Sequence, residues 1–240
     1  MKQMMNTFRT TFSRITLIRT TLALGLLAVS GLVQADGQLM VMPARSTVEG
    51  KQNRTVQVSN LGDKPLYLKI DLMLVENPGQ SPERKKAMGE VTLPEMMVNP
   101  AKLTLGPGQK RDISLVALKA PAQETVYRLY IVPVSSIKVV DDGSKDKIKA
   151  PVNFGIAYGV VVHHQPPTTA QIRGWTHQCT AGGLQLTSTG NVHTPFTQLQ
   201  VTPAGSMPSD QNVYPGTPLV FPAKSVKGNA DGKPFDVRCP

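Results

Sequence analysis

The sequence is poor in the residues that announce chemistry. Four histidines, two cysteines and one tryptophan occur in 240 residues, and aromatics make up 5%. No G-x-S-x-G nucleophile turn, no H-E-x-x-H pair and no Gly-rich phosphate loop is present. An enzyme therefore has no supporting constellation, and no small-molecule substrate is implied. Heptads and short-period repeats are also missing. The net charge is +10, yet Lys and Arg are scattered and no basic block interleaves with aromatics, which sets nucleic acid aside as a partner. Long helical stretches are hard to find. Gly and Pro number 20 each, a composition that favours many short strands separated by turns.

The first 35 residues contain no acid and carry Lys2, Arg9, Arg14 and Arg19. Thr20 to Val33 is apolar, and "VQA" ends at Ala35. A basic start, an apolar middle and a small-residue exit read as a secretory signal peptide over 1–35. The apolar run has fourteen residues, short of the ~20 that span a membrane. Removing this leader leaves 22 basic against 16 acidic residues, a balance of +6. In an exported chain the even pair Cys179 and Cys239 reads as a disulfide. The alternative is a pair of reactive or metal-binding thiols, but their separation fits no compact zinc pattern.

Strand candidates follow the leader in close order. "QLMVMPARSTVEG" has a strand-like start and a turn at Glu49-Gly50. "RTVQVSN", "PLYLKIDLMLVEN", the two runs joined at "GPGQ" and "ETVYRLYIVPV" alternate apolar with polar residues. A long polar loop, Ser135 to Ala150, leads into "PVNFGIAYGVVVHH". In that segment Val152, Phe154, Ile156, Tyr158, Val160 and Val162 form one apolar row, and no charge appears from Val152 to Val162. Pro166 and Pro167 then mark a semi-rigid joint. Shorter candidates such as "GLQLTST", "FTQLQV" and "FDVRC" follow. The expectation is all-β: two β-sandwiches in tandem, over 36–164 and 170–240, with a hinge at 165–169.

An eleven-residue strand spans roughly 36 Å, about twice a typical strand. One reading of Val152–Val162 is a central strand buried on both sides. The other is an edge strand with an open hydrogen-bonding rim, unguarded by Lys or Pro, which recruits another chain.

Against that background the mature chain resembles the periplasmic pilus-assembly chaperones of the chaperone–usher pathway, most closely the alternate (alpha) branch that serves class 5 fimbriae. The resemblance rests on "MPARSTVEG", "NPAKLTLGPGQKRDISL", "YRLYIVPV", the long strand running into "HHQPP", and in the second half "TSTGNVHTPFTQLQV" and "YPGTPLVFP". It implies two immunoglobulin-like domains set in an L, and a donor strand over 151–162. That strand completes a fimbrial subunit that lacks its own last strand, before hand-over to the outer-membrane usher. Val152, Phe154 and Ile156 would fill the subunit's groove, with Tyr158 and Val160 continuing toward the hinge, and the loop Ser135–Ala150 would order on binding. The family's basic pair for the subunit's C-terminal carboxylate falls on Arg45. Its second member falls near Val161, which cannot serve, and Arg128 on the preceding strand is the substitute. The hinge arginine of the better-known branch falls near Gln165, a departure from that branch's interdomain ion pair. The implied partners are major and minor fimbrial subunits, the usher and a self-capping homodimer, and the implied compartment is the periplasm.

No cofactor or metal is expected on this reading. The rival is a periplasmic copper- or metal-binding sandwich, suggested by Met40, Met42 and Met96-Met97, since thioethers suit Cu(I). The same residues equally fill gaps in a core. His163 and His164 are neighbours on a strand and so point to opposite faces. One ion is not easily gripped by both, and they read as hinge histidines. A pilus subunit is a further rival, but "DGQLMVMPARST" offers no alternating donor extension.

Overall fold

The computed structural model describes residues 38–134, 156–203, 205 and 208–240. The leader 1–35, the loop 135–150, and Val152 and Phe154 lie outside the described residues.

Ten strands precede the proline pair: β1 (Leu39–Met42), β2 (Arg45–Glu49), β3 (Arg54–Asn60), β4 (Leu66–Val75), β5 (Lys85–Ala87), β6 (Met96–Asn99), β7 (Lys102–Leu105), β8 (Lys110–Ala117), β9 (Thr125–Pro133) and β10 (Tyr158–Gln165). They form two facing sheets. One has the order β1-β3-β8-β6, and the other runs β2-β10-β9-β4-β5, with β7 also pairing β4. Seven strands follow: β11 (Trp175–Thr180), β12 (Gly183–Ser188), β13 (Thr194–Thr202), β14 (Gln211–Val213), β15 (Leu219–Phe221), β16 (Ser225–Ala230) and β17 (Lys233–Arg238). Their sheets are β11-β12-β15 and β14-β13-β16-β17. The chain is thus two immunoglobulin-like sandwiches, as expected.

Alternation in the sequence becomes alternation of faces. In β4, Leu66, Leu68, Ile70 and Leu72 point inward and are buried, while Tyr67 and Lys69 face solvent. Period-two patterning produces this directly. Tyr127, Leu129 and Ile131 of β9 join the same core, as do Val160 and Val162 of β10 and Ile113 and Leu115 of β8. Each such side chain contributes roughly 1.5–3 kcal/mol by leaving water. The second core is smaller. Trp175, Phe196 and Phe235 meet edge-on with centroids 5.0–5.4 Å apart, over Leu184, Leu186 and Phe221. Cys179 on β11 and Cys239 after β17 form a disulfide, Cα to Cα 5.7 Å, joining one sheet of this sandwich to the other.

The segment "QLMVMPARST" forms two strands: Pro43 supplies no N–H for a ladder, and the chain breaks there into β1 and β2, which belong to different sheets. The edge reading of the long apolar segment holds for only part of its described length. From Val161 to His164, β10 lies between β2, parallel to it, and β9, antiparallel, and at Gln165 it pairs with β2 alone. From Tyr158 to Val160 it pairs with β9 alone. The strand also runs through His163, His164 and Gln165, so the histidine pair lies at the strand's end.

Candidate functional site

The outer face of the β2-β10-β9-β4 sheet is built from the residues that do not enter the core. Register places them in rows. Arg45 of β2, Val161 of β10, Arg128 of β9 and Met73 of β4 are successive neighbours. In the next row lie Thr47, His163, Val126 and Val75. Arg45 and Arg128 therefore flank Val161 on one face, two strand spacings apart, or roughly 10 Å. Tyr214 of the second sandwich packs over this face with Val75, Val126 and Val161. Burial raises the pKa of its phenol, while Arg45 and Arg128 pull the other way. The two arginines thus line a crevice walled by the second sandwich.

Their situations differ. Arg45 is exposed, and no carboxylate pairs with it among the described residues. Arg128 is half-buried and holds Glu83 in a fork, Nε to Oε2 3.0 Å and Nη2 to Oε1 2.6 Å. That hydrogen-bonded pairing lowers the Glu83 pKa and raises that of Arg128, against the opposing effect of burial. Lys85 donates to the Tyr130 hydroxyl at 2.7 Å and stands over the Tyr130 ring. The Tyr130 ring lies across Gly159 of β10, where an added Cβ would stand 3.4 Å from it.

The open part of β10 adjoins this pair. The Val161 N–H donates to the Ala44 carbonyl at 3.1 Å, and β2 pairs with β10 only from Arg45 onward. Upstream, Tyr158, Gly159 and Val160 have β9 on one side and, among the described residues, no strand on the other. The apolar row grades from outside to inside. Ile156 is 76% exposed, while Val160 is 2% exposed and lies within this sandwich's own core. Between them Tyr158 is partly buried, and its hydroxyl donates to the Leu39 carbonyl at 2.8 Å. The methionines divide similarly: Met96 fills the core, and Met42 and Met97 face out.

A second polar centre went unseen in the sequence. Glu124, just before β9, is fully buried in its side chain and receives donors from both sandwiches. His163 Nδ1 lies 2.8 Å from its Oε1, and His193 Nδ1 2.8 Å from its Oε2. The His193 backbone N–H donates to Oε2 at 2.6 Å, and Gln165 Nε2 to Oε1 at 3.2 Å. Burial alone would raise the Glu124 pKa. The bonds from His163 and His193 outweigh it and lower the value to about 2. Gln165 thus joins the hub as an amide donor. His164 points the opposite way, as strand geometry requires, with Nε2 2.8 Å from the Gly50 carbonyl. Gly50 sits at φ 56°, a left-handed turn that suits glycine. Burial lowers the His164 pKa and keeps the ring neutral. The available signal was two adjacent histidines continuing an apolar strand. Glu124 lies 39 residues before His163, and His193 lies 69 residues from Glu124.

No family model matches the chain. A stretch of 139 residues is 27% identical to a CFA/I fimbrial subunit of Escherichia coli, covering 55% of each protein. The chain thus spans about half the length of the curated relative it matches. Among solved structures it is similar to the class 5 fimbriae chaperone CfaA, with a TM-score of 0.64, 18% identity, and coverage of 85% of this chain and 100% of that one. A chain from a chaperone–tip adhesin complex of CFA/I fimbriae biogenesis gives 0.61 at 18% identity, covering 83% and 97%. A chain of the CsuC–CsuE pre-assembly complex of Acinetobacter baumannii gives 0.56 at 14%, covering 83% and 97%. At these identities the likeness is one of fold.

Proposed function

We propose that this chain is a periplasmic chaperone that binds, folds and caps fimbrial subunits by lending them a strand, then delivers them to an outer-membrane usher. The observation that carries the reading is β10. Among the described residues the strand is closed on both rims from Val161 to His164, has one open rim from Tyr158 to Val160, and has Arg45 and Arg128 flanking the point of change. A strand with one unpaired rim is a template for another backbone, and main-chain bonds with alternating side chains give such a complex affinity and specificity.

In this reading Val152, Phe154 and Ile156 enter the subunit's groove. Tyr158 anchors the strand at the mouth, and Val160 ties it to the chaperone's own interior. Arg45 binds the subunit's terminal carboxylate through its planar fork, while Arg128, held in place by Glu83, adds positive field. The loop 135–150 orders on binding. The first domain is 36–164, the hinge 165–169 and the second domain 170–240, and the leader is cleaved near Ala35. Major and minor subunits are the clients. The free chaperone caps its own strand as a homodimer. The fold relatives include chaperones in complexes with tip adhesins, the partner class proposed here. The protein has no catalytic role in this scheme.

The test is periplasmic co-expression with a fimbrial subunit encoded beside it. Arg45→Ala should leave the melting temperature unchanged and sharply reduce recovered complex, since truncating one partner of a desolvated charge pair costs about 2–5 kcal/mol. Recovery of complex at the wild-type yield would remove Arg45 from the anchor.

A further inference from the structure

We propose that Glu124, His163 and His193 form a binding site for one divalent transition-metal ion of the zinc class, clamping the two sandwiches together. The inference does not rest on the chaperone reading. The three residues come from three separate elements: the segment entering β9, β10 itself, and the segment entering β13. One ligand atom from each lies within 4.8 Å of the other two. Two imidazole nitrogens with one carboxylate oxygen is a donor set that suits zinc and its neighbours and not magnesium or calcium.

The geometry is close to that of a filled site. Ligands 2.0–2.2 Å from a tetrahedral ion stand about 3.3–3.6 Å from one another. Nδ1 of His163 lies 2.8 Å and Nδ1 of His193 2.9 Å from the same carboxylate oxygen, Oε1. Seating an ion there asks each nitrogen to part from that oxygen by about half an ångström or slightly more, and the three ligand atoms already lie within 4.8 Å of one another. The supporting shell is in place. The His193 backbone N–H and the Gln165 amide fix the carboxylate's orientation, the outer-sphere role that sets ligand geometry in metal sites. The Tyr214 ring stacks on His163 at 6.1 Å and tilts against His193 at 5.2 Å, closing one side with an apolar wall.

A divalent ion would also bring positive charge to a carboxylate whose side chain is fully buried, where burial by itself penalises the charged form. Access exists from one direction, since the His193 side chain is 17% exposed against 4% for His163. His164 has no part, because it faces the other side of the sheet toward Gly50.

The experiment uses the untagged mature protein, stripped with chelator and titrated with zinc chloride by calorimetry. One ion should bind per chain with a dissociation constant in the micromolar range or tighter, and zinc in about 100-fold excess over that constant should raise the melting temperature by several degrees. His193→Gln should weaken binding about tenfold or more, whereas His177→Gln, on exposed β11, should not. Binding weaker than about 100 μM, or equal affinity in His193→Gln, overturns the site. Because that variant also loosens the junction, the wild-type protein gives an independent reading. One equivalent of zinc should move the imidazole nitrogen resonances of His163 and His193 and leave those of His177 in place. Unmoved His163 and His193 signals overturn the proposal and leave the cluster as a purely hydrogen-bonded lock.

Discussion

Arg128 has two claims on its guanidinium. It is bound in a fork by Glu83, and it faces the crevice that Arg45 shares. The Glu83 pair is partly solvent-exposed, with side chains at 27% and 28%, so it is worth about 1 kcal/mol or less. Glu83→Gln should cost that amount at neutral pH in urea denaturation. The folded carboxyl titrates below its ordinary value of 4.5. The pair's contribution is therefore present above that value and is lost as pH falls through the lower folded pKa. The variant and the wild type should accordingly converge in stability once the pH lies below the folded pKa, and a gap that persists there would mean the pair is not its source. The arginine position in "MPARSTVEG" could be read from the sequence. Glu83 could not, because it lies 45 residues from Arg128 in a charged, turn-rich stretch where every acid looks alike.

At the scale of the element, β10 combines two characters in one strand. Its inner half is an ordinary central strand, with Val162 and His164 fully buried, and its outer end presents Ile156 to solvent. Ile156→Asp should leave the protein's own melting temperature nearly unchanged, because the residue is exposed, and should cost several kcal/mol in the proposed subunit complex, where it would bury a charge. Unchanged subunit stability in the periplasm would count against the donor role. Apolar alternation announced the strand but not its neighbours. Whether a rim is open depends on where β2 starts, and Pro43 decides that by breaking β1 from β2. The second sandwich has its own tie. The Cys179–Cys239 loop of 60 residues contributes roughly 4 kcal/mol in the chain-entropy model. Peptide mapping without reductant should recover the two half-cystines joined, and Cys179→Ser with Cys239→Ser should lower unfolding stability by about 2–5 kcal/mol. Free thiols in the wild-type protein would remove the bridge.

For the molecule as a whole, two sandwiches were legible because turn residues recur at short intervals and the alternation of β4, β8 and β9 is regular. Their junction was not. Glu124 N–H donates to the Asn191 carbonyl at 2.8 Å, and Gln123 reaches the Pro215 carbonyl at 3.2 Å. Such contacts join residues of no distinctive type across long stretches of chain. The histidines of the hub were visible only as a pair in one strand, and the pair pointed to hinge residues because the third histidine and the acid carry no local signature. The exposed Ile156 lies two residues before the strand that enters the hub at His163.

Val160 and Val162 are locked in the interior, and continued alternation would put Ile156 on the same side of the chain, which would make the segment a built-in ruler. On the proposed function, a chain received along the open rim would inherit its registration from the host's core, with Arg45 as the zero mark. Inserting one glycine after Ala157 reverses which side Ile156 presents. Inserting two restores the side and displaces Ile156 by about 7 Å along the axis. Captured subunit should therefore fall further with one added residue than with two, and equal losses would mean that the scale is not read from the interior.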